Sequence, residues 1–524
     1  MNIWIASMEC ASLAEAGGVK NVTYSFCKEL TYLGKKVTLF IPFYSFTNLK
    51  NTIDLNRNHL NNIKINLCGK TETVNFYKAR YATVNFKIVF VYHPAFFEKE
   101  AVYTYTEHEQ ALNENHRKGS GHADTLFLDT LFAKSVAEYA KLIDAEALPD
   151  LVHCQDASTA MIPTFIKEAS KTEDRLSNIK SVVTIHNAGP AYHHSFFDMA
   201  QAEYHTGLSR NILCGALNNC CIEPFLLAQI SGAALTTVSV EYAEELFKSH
   251  NLRETDGLSD IFYQRHIKIK GITNGIDYDN YNPNRKEVSE LPYVFNPEKC
   301  DLKGKYKCRE YFINEYLQNK ELKELVYGSF EPGCAEKKEN IFISYHGRIA
   351  GQKGISVLIQ AIPLIISHNP KVHFIITGQG ELFLESQIKE LTERFKGKII
   401  FINCYDKKAA RLTTVSGDFI VLPSQFEPCG LEDFIAQIYG TLPIAHKTGG
   451  LNKILDDETG FLYRNNTPAE LAARVGEAIS IKTDDFPQMM KMIVDAANYV
   501  HEKYLWKSVI LQEYIPFFEK ILKK

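Results

Sequence analysis

Along most of the chain, short runs of apolar and β-branched residues alternate with longer stretches in which apolar positions recur every three or four residues. The first pattern marks buried strands, the second amphipathic helices. Asn2–Ser7 reads as a strand, Val19–Leu33 as a helix and Lys36–Pro42 as a strand. Asp150–Cys154, Ser181–His186, Ala234–Val240 and Lys268–Thr273 follow as strands, each ahead of a turn or a helical pattern. The series then restarts. Ile341–His346 is a strand, Gly354–Ile366 a helix, Val372–Thr377 a strand and Glu381–Phe395 a helix, with further strands at Ile399–Asn403, Phe419–Pro423 and Leu442–His446. Such alternation predicts an α/β fold, with parallel sheets covered by helices on both faces.

The stretch from Asp277 to Asn340 is turn-rich and poor in strand signals, which places a domain junction near Asn274–Pro283. A chain of 524 residues also exceeds the roughly 250–300 residues at which a single core stops growing. We expect one domain over residues 1–275, a second over 276–498, and a helical stretch over 499–524 that packs back on one of them. No repeat at a period of about 20–50 residues is visible.

Composition narrows the function. The 58 basic and 62 acidic residues leave a formal charge of -4, which weighs against a nucleic-acid partner. No apolar run approaches the ~20 residues of a spanning helix, and the first residues carry no basic segment of a signal peptide. No membrane partner and a cytoplasmic location are the expectation. Twelve cysteines occur without a C-x-x-C pair, so reduced thiols are expected rather than disulfides or a metal site.

In doubly wound sheets, ligands bind at the carboxyl ends of the strands, so the loops there carry the candidate chemistry. The loop after Asn2–Ser7 holds Glu15, Gly17 and Gly18 just before a helix. Such a glycine pair either lets backbone N–H groups approach a ligand or simply turns the chain into the helix. The loop after Ile341–His346 carries Arg348 and Lys353 on a glycine-flanked turn. A guanidinium and an ammonium so spaced can clamp a diphosphate, or can be a solvated helix start. After Phe419–Pro423, Glu427 precedes Pro428, Cys429, Gly430 and Leu431; its carboxylate serves a ligand or caps a helix. Thr448, Gly449 and Gly450 form a second glycine-pair turn.

Together these segments resemble the bacterial glycogen synthases and plant starch synthases. Gly347–Gly354 resembles that family's G-R-L-x-x-Q-K-G, Phe426–Leu431 its F-E-P-C-G-L, and Tyr439–Leu451 its Y-G-T-x-P-[IV]-x-x-x-T-G-G-L. Ile272–Pro283, with Asn274, resembles I-x-N-G-I-D-x-x-x-W-N-P, and Thr184–Asn187 matches T-I-H-N. The resemblance implies two facing Rossmann-like domains with the active site in the cleft between them and a C-terminal helix that crosses back. It implies retaining transfer of glucose from a nucleotide sugar, ADP-glucose rather than UDP-glucose, to an α-1,4-glucan, with no cofactor and no metal. It further implies that Arg348 and Lys353 hold the donor diphosphate and that Glu427 contacts the transferred glucose. His186 and Gly18 are implied beside that sugar and Tyr405 against the base. Gly17, Asp156, Asn187, Asn274, Cys429, Gly430, Leu431, Thr448, Gly449 and Gly450 complete the implied substrate site.

The departures from that family gather in the first domain. Glu15 stands for the lysine of K-x-G-G-L and Asn21 for the aspartate of G-G-L-x-D. The H-x-H-D-W motif reads His153-Cys154-Gln155-Asp156-Ala157. Ala188–His194 replaces L-A-Y-Q-G and is two residues longer, and Glu432 takes the place of a Thr or Ser in the second domain. Retained glucan synthesis is the expectation; a different acceptor, or a glucan-binding homologue with weak catalysis, are the alternatives.

Overall fold

The computed structural model describes residues 1–57, 62–248, 255–319 and 322–523. The chain forms two compact units: Met1–Asn274 together with the chain from Val509 onward, and Gly275–Ser508.

In the first unit the apolar runs become a sheet of ten strands among the described residues. They are β1 (Asn2–Ala6), β2 (Lys36–Pro42), β3 (Thr52–Asn56), β4 (Ile63–Leu67), β5 (Lys70–Tyr81), β6 (Lys87–Tyr92), β7 (Leu151–Gln155), β8 (Lys180–Ile185), β9 (Ala234–Thr237) and β10 (Ile269–Gly271). Their order is β10-β9-β8-β7-β1-β2-β6-β5-β3, with β4 beside β5. Pairing is parallel from β10 to β6 and antiparallel from β6 through β5 to β3. Helices α1 (Val19–Tyr32), α2 (Thr125–Leu142) and α3 (Ile162–Ser170) each direct an apolar face inward. Because the strands are buried, Ile3, Ile5 and Ala6 of β1 and Leu39, Phe40 and Ile41 of β2 are all 0% exposed. The strand expected to run to Val240 stops at Thr237. Ser239 accepts a hydrogen bond from the Tyr242 N–H at 3.0 Å and caps a short helix, Val240–Glu245.

The second unit has β11 (Ile341–His346), β12 (Val372–Thr377), β13 (Ile399–Ile402), β14 (Phe419–Leu422), β15 (Leu442–His446) and β16 (Phe461–Tyr463). The order β13-β12-β11-β14-β15-β16 is the doubly wound 3-2-1-4-5-6 arrangement, all parallel, with the short antiparallel strand Val326–Tyr327 added outside β13. The polar stretch before it hides a helix, α4 (Lys303–Asn314), whose inward face carries cations. Lys305 Nζ donates to the Val415 and Gly417 carbonyls at 2.8 Å each, and Arg309 donates to Asp418 at 2.8 Å. An inward face of Lys and Arg gives no apolar periodicity to read. The flanking helices are α5 (Ile355–His368), α6 (Leu382–Arg394), α7 (Lys407–Ser416), α8 (Glu432–Ile438), α9 (Pro468–Asp484) and α10 (Phe486–Lys503).

The helical pattern expected over 499–524 is broken. α10 ends at Lys503, the Tyr504 carbonyl accepts from the Ile276 N–H at 2.7 Å, and helical structure resumes at Trp506. The last helix, α11 (Ile515–Leu522), belongs to the first unit. There Tyr514 and Phe518 lie 4.6 and 6.2 Å from the Phe26 ring of α1, and Phe518 lies 5.6 Å from His153 of β7.

The strand orders locate the functional ends. Each sheet reverses its direction of winding at one place, between β1 and β7 in the first unit and between β11 and β14 in the second. A crevice forms at the carboxyl ends of strands beside such a reversal, and ligands of open α/β sheets bind there.

Candidate active site

At the reversal point of the second unit, the loops after β11 and β14 are tied together. The Gln425 N–H donates to the Gln352 carbonyl at 2.9 Å, and Lys353 Nζ meets Glu427 Oε2 at 2.6 Å. Ser424 Oγ donates to the same carboxylate oxygen at 3.1 Å. The two loops approach this closely because Gly354 ends the first one. It has φ +69°, and a Cβ there would lie 1.7 Å from the Pro423 carbonyl oxygen. Arg348 is exposed, and among the described residues its side chain has one hydrogen-bond contact, a long one to Gln352 Oε1 at 3.5 Å, so its guanidinium stays available to a ligand. Burial opposes the charge on Lys353, but Glu427 and then Glu432 outweigh it and raise its pKa. Burial likewise disfavours the Glu432 carboxylate, yet Lys353 and His346 bring its pKa below the usual range. The ammonium thus meets the Glu427 carboxylate directly and feels the charge of Glu432 as well.

The remaining residues expected in this unit frame that pair. The Gly450 N–H donates to the Glu427 carbonyl at 2.8 Å, and a Cβ on Gly450 would lie 2.1 Å from the Cys429 carbonyl oxygen. Gly449 and Gly450 open the turn after β15, and Thr448 Oγ1 reaches the Gln425 carbonyl at 3.3 Å. Lys453, which sequence reasoning missed, is buried at the centre: its Nζ donates to the Cys429, Gly430 and Gly450 carbonyls at 2.6, 2.9 and 3.0 Å and pairs with Asp433 at 3.0 Å. Leu431 precedes α8, and its N–H donates to Glu432 at 3.2 Å. Tyr405, just past β13, is 90% exposed.

The first unit brings a second set together at its own reversal point. Asp156, directly after β7, holds φ +63° and accepts the His186 N–H on Oδ1 at 2.8 Å. Burial pushes its pKa up to about 7, against hydrogen bonds from the His186 and Asn187 N–H groups and the charge of His194. His186, at the end of β8, has its pKa lowered to about 4 by burial and is neutral at physiological pH. Its Nε2 lies 2.7 Å from the Gln155 side-chain amide, which fixes the orientation of the ring. Asn187 turns its Oδ1 onto the Gly189 N–H at 2.8 Å. Glu9, also missed, is 1% exposed and accepts the Ala16 and Gly17 N–H groups at 2.9 and 2.6 Å. The glycine pair therefore serves an internal carboxylate as well as the start of α1 at Gly18. A lone acidic residue just after a buried strand was the available signal. Asn274 stands apart from this set, buried at the end of the unit, with its N–H on the Val238 carbonyl at 3.2 Å.

Residues 2–261 match the starch synthase catalytic domain family, and residues 340–480 match glycosyl transferases group 1. The chain belongs to the glycogen and starch synthase family, and it is a glycosyltransferase. A glycogen synthase of Thermodesulfovibrio yellowstonii is 29% identical over 506 residues, covering 95% of this chain and 94% of that protein. A glycogen synthase of Mycoplasma mobile is 27% identical over 519 residues, covering 97% and 98%. The catalytic domain of starch synthase IV from Arabidopsis thaliana, solved bound to ADP and acarbose, shares the fold: TM-score 0.78 at 22% identity, over 100% of this chain and 99% of that one. Two parallel-sheet Rossmann-like units are the architecture of such glycosyltransferases.

Within this synthase family, the departure at Glu15 has a local answer. Glu15 Oε2 pairs with Lys20 Nζ at 2.9 Å and its other oxygen accepts the Ser12 N–H at 2.8 Å. The carboxylate is thus turned onto its own helix start and neutralised there. Glu15→Lys removes that pair and sets two ammonium groups near one another. We expect it to change the KM for glucan, or chain-length preference, more than the KM for nucleotide sugar. Steady-state kinetics with both substrates checks this; a variant with much tighter donor binding and unaltered acceptor kinetics would contradict it.

Proposed function

We propose that this protein is a cytoplasmic glycogen synthase. It transfers glucose from a nucleotide sugar, ADP-glucose in preference to UDP-glucose, to the non-reducing end of an α-1,4-glucan with retention of configuration. The observation that carries this reading is the Lys353–Glu427 pair, with Arg348 beside it, at the reversal point of a doubly wound sheet. The names of the relatives support it, as do the ADP and acarbose bound to the starch synthase of the same fold.

The chemistry fits these side chains. Cleaving the glucose–phosphate bond builds positive charge on the sugar and negative charge on the departing diphosphate. Cations already in place at the diphosphate stabilise that transition state more than the ground state. In this reading Arg348 and Lys353 receive the leaving group, and Glu427, relieved of Lys353 as the diphosphate takes over the ammonium, faces the glucose. Neutral His186 and the Asp156 carboxylate hold sugar hydroxyls on the first unit, and Tyr405 lies against the base.

Arg348→Ala tests the clamp with little risk to the fold, because its one intramolecular contact is long. We expect kcat to fall by about 10²–10³, or roughly 3–4 kcal/mol, with thermal stability unchanged. The function itself is tested by nucleotide release from ADP-glucose and UDP-glucose, each with and without glycogen. Release from ADP-glucose that depends on glycogen supports the synthase. Release only with another acceptor indicates the altered-acceptor enzyme, and glycogen binding without release indicates a binding protein.

A further inference from the structure

Asp129 sits in the middle of α2 with its side chain 3% exposed, an acid on a helix otherwise buried through Leu128, Leu131 and Phe132. A carboxylate in that position is unfavourable unless a cation meets it. His194 does so: its Nδ1 lies 2.5 Å from Asp129 Oδ2. Counting on from Ala191-Tyr192, the Ala-Tyr shared with L-A-Y-Q-G, His194 takes the place of that motif's glycine. The backbone agrees, since His194 has φ +49°, a left-handed conformation that favours glycine. Thus a strained histidine and a buried aspartate, 65 residues apart, stand together where neither is locally favourable.

The surroundings show what the pair acts on. His194 is faced by Asp129 from α2, Asp156 from the end of β7 and Glu223. Glu223 is itself engaged by His193 Nδ1 at 2.9 Å. Asp156 is faced by His194 and Glu9, and by the buried phenols of Tyr103 and Tyr242. Asp129 is faced by His194, by Asp124 on the preceding turn, and by Tyr44 and Tyr103. Among these groups His194 is the cation that faces both Asp129 and Asp156. Burial works against its charge, but Asp129 outweighs burial and raises its pKa.

We propose that His194, gripped by Asp129, is a positioning residue that presents a fixed imidazolium to Asp156 and favours the carboxylate form of that residue beside His186. This rests on the glucosyltransferase reading, in which the ionised Asp156 accepts sugar hydroxyls.

The test uses the full chain with His194→Gln, Asp129→Asn and the double change His194→Gly with Asp129→Asn; the double change relieves the left-handed backbone and removes both charges of the pair together. Asp156 must be ionised to act, and the imidazolium favours its ionised form. Losing the imidazolium raises the Asp156 pKa, so activity fails earlier as pH falls. The acid limb of kcat/KM is expected to move up by about one pH unit in His194→Gln and in the double variant, a loss of about tenfold on that limb that shrinks towards alkaline pH. Independently of turnover, NMR titration of ring-labelled histidines should show His194 titrating above free histidine in the wild type and lower in Asp129→Asn. An unmoved acid limb in a folded double variant, or His194 titrating as free histidine, would overturn the proposal. If the wild type transfers no glucose from any nucleotide sugar, the functional reading fails, while the histidine titration still decides whether Asp129 holds His194 charged.

Discussion

Replacing Lys353 by alanine is expected to lower kcat by about 10²–10³, the cost of one charge-assisted contact to the developing diphosphate charge, roughly 3–4 kcal/mol. Unlike Arg348→Ala, it is also expected to lower stability. Lys353 Nζ stands 2.6 Å from Glu427, and both side chains are largely buried, 20% and 13% exposed. Without the ammonium, Glu427 loses its direct partner and Glu432 loses the charge that favours its ionised form. Breaking a fully buried pair costs about 3–5 kcal/mol; partial exposure makes the loss here smaller, on the order of 1–3 kcal/mol. Kinetics and thermal unfolding together check both effects. Lys353→Arg, which keeps the charge, should recover stability more fully than turnover, because an ammonium and a guanidinium place charge differently. Near-normal turnover in a folded Lys353→Ala would remove the clamp from the account.

The second large effect is expected from a residue with no side chain. Gly354→Ala forces a Cβ to 1.7 Å from the Pro423 carbonyl oxygen, at φ +69°. That carbonyl accepts Asn466 Nδ2 at 2.7 Å, and its loop carries Ser424 and Glu427. The clash falls on backbone, so it cannot be relieved by a rotamer change. Overpacking and left-handed strain each cost about 1–3 kcal/mol, and together they should destabilise the second unit by roughly 2–6 kcal/mol while parting Lys353 from Glu427. The expected result is a lower unfolding midpoint with activity lost even at temperatures where the protein stays folded. A variant with wild-type stability would mean that the two loops are not held together as described.

The buried parallel strands were legible because their sequences are continuous apolar runs, so β11, β12 and β15 begin and end where the pattern places them. The loops after β11 and β14 were legible as turns because glycine and charge recur there at fixed spacing. What the sequence concealed depends on distance along the chain. Helix α4 turns Lys305 and Arg309 inward, to carbonyls and an acid more than 100 residues away, so it reads as a polar linker. Gln155 looked like a lost histidine, yet it orients His186, 31 residues on. Glu9 and Lys453 are ordinary charged residues until the fold surrounds them with N–H groups or carbonyls. Glu15 was legible as a charge reversal, but only the coordinates show Lys20 answering it. No described helix is long and apolar enough to cross a membrane.

The central claim is glucosyl transfer to a glucan end, and the linkage formed tests it most directly. Purified protein is incubated with ADP-glucose labelled in the glucose and with glycogen, and the polymer is then digested with an enzyme that cleaves only α-1,4 bonds from the non-reducing end. The account predicts that label enters the polymer and is released among the first residues removed. Label that never enters the polymer, or that enters and resists the digestion, would contradict it.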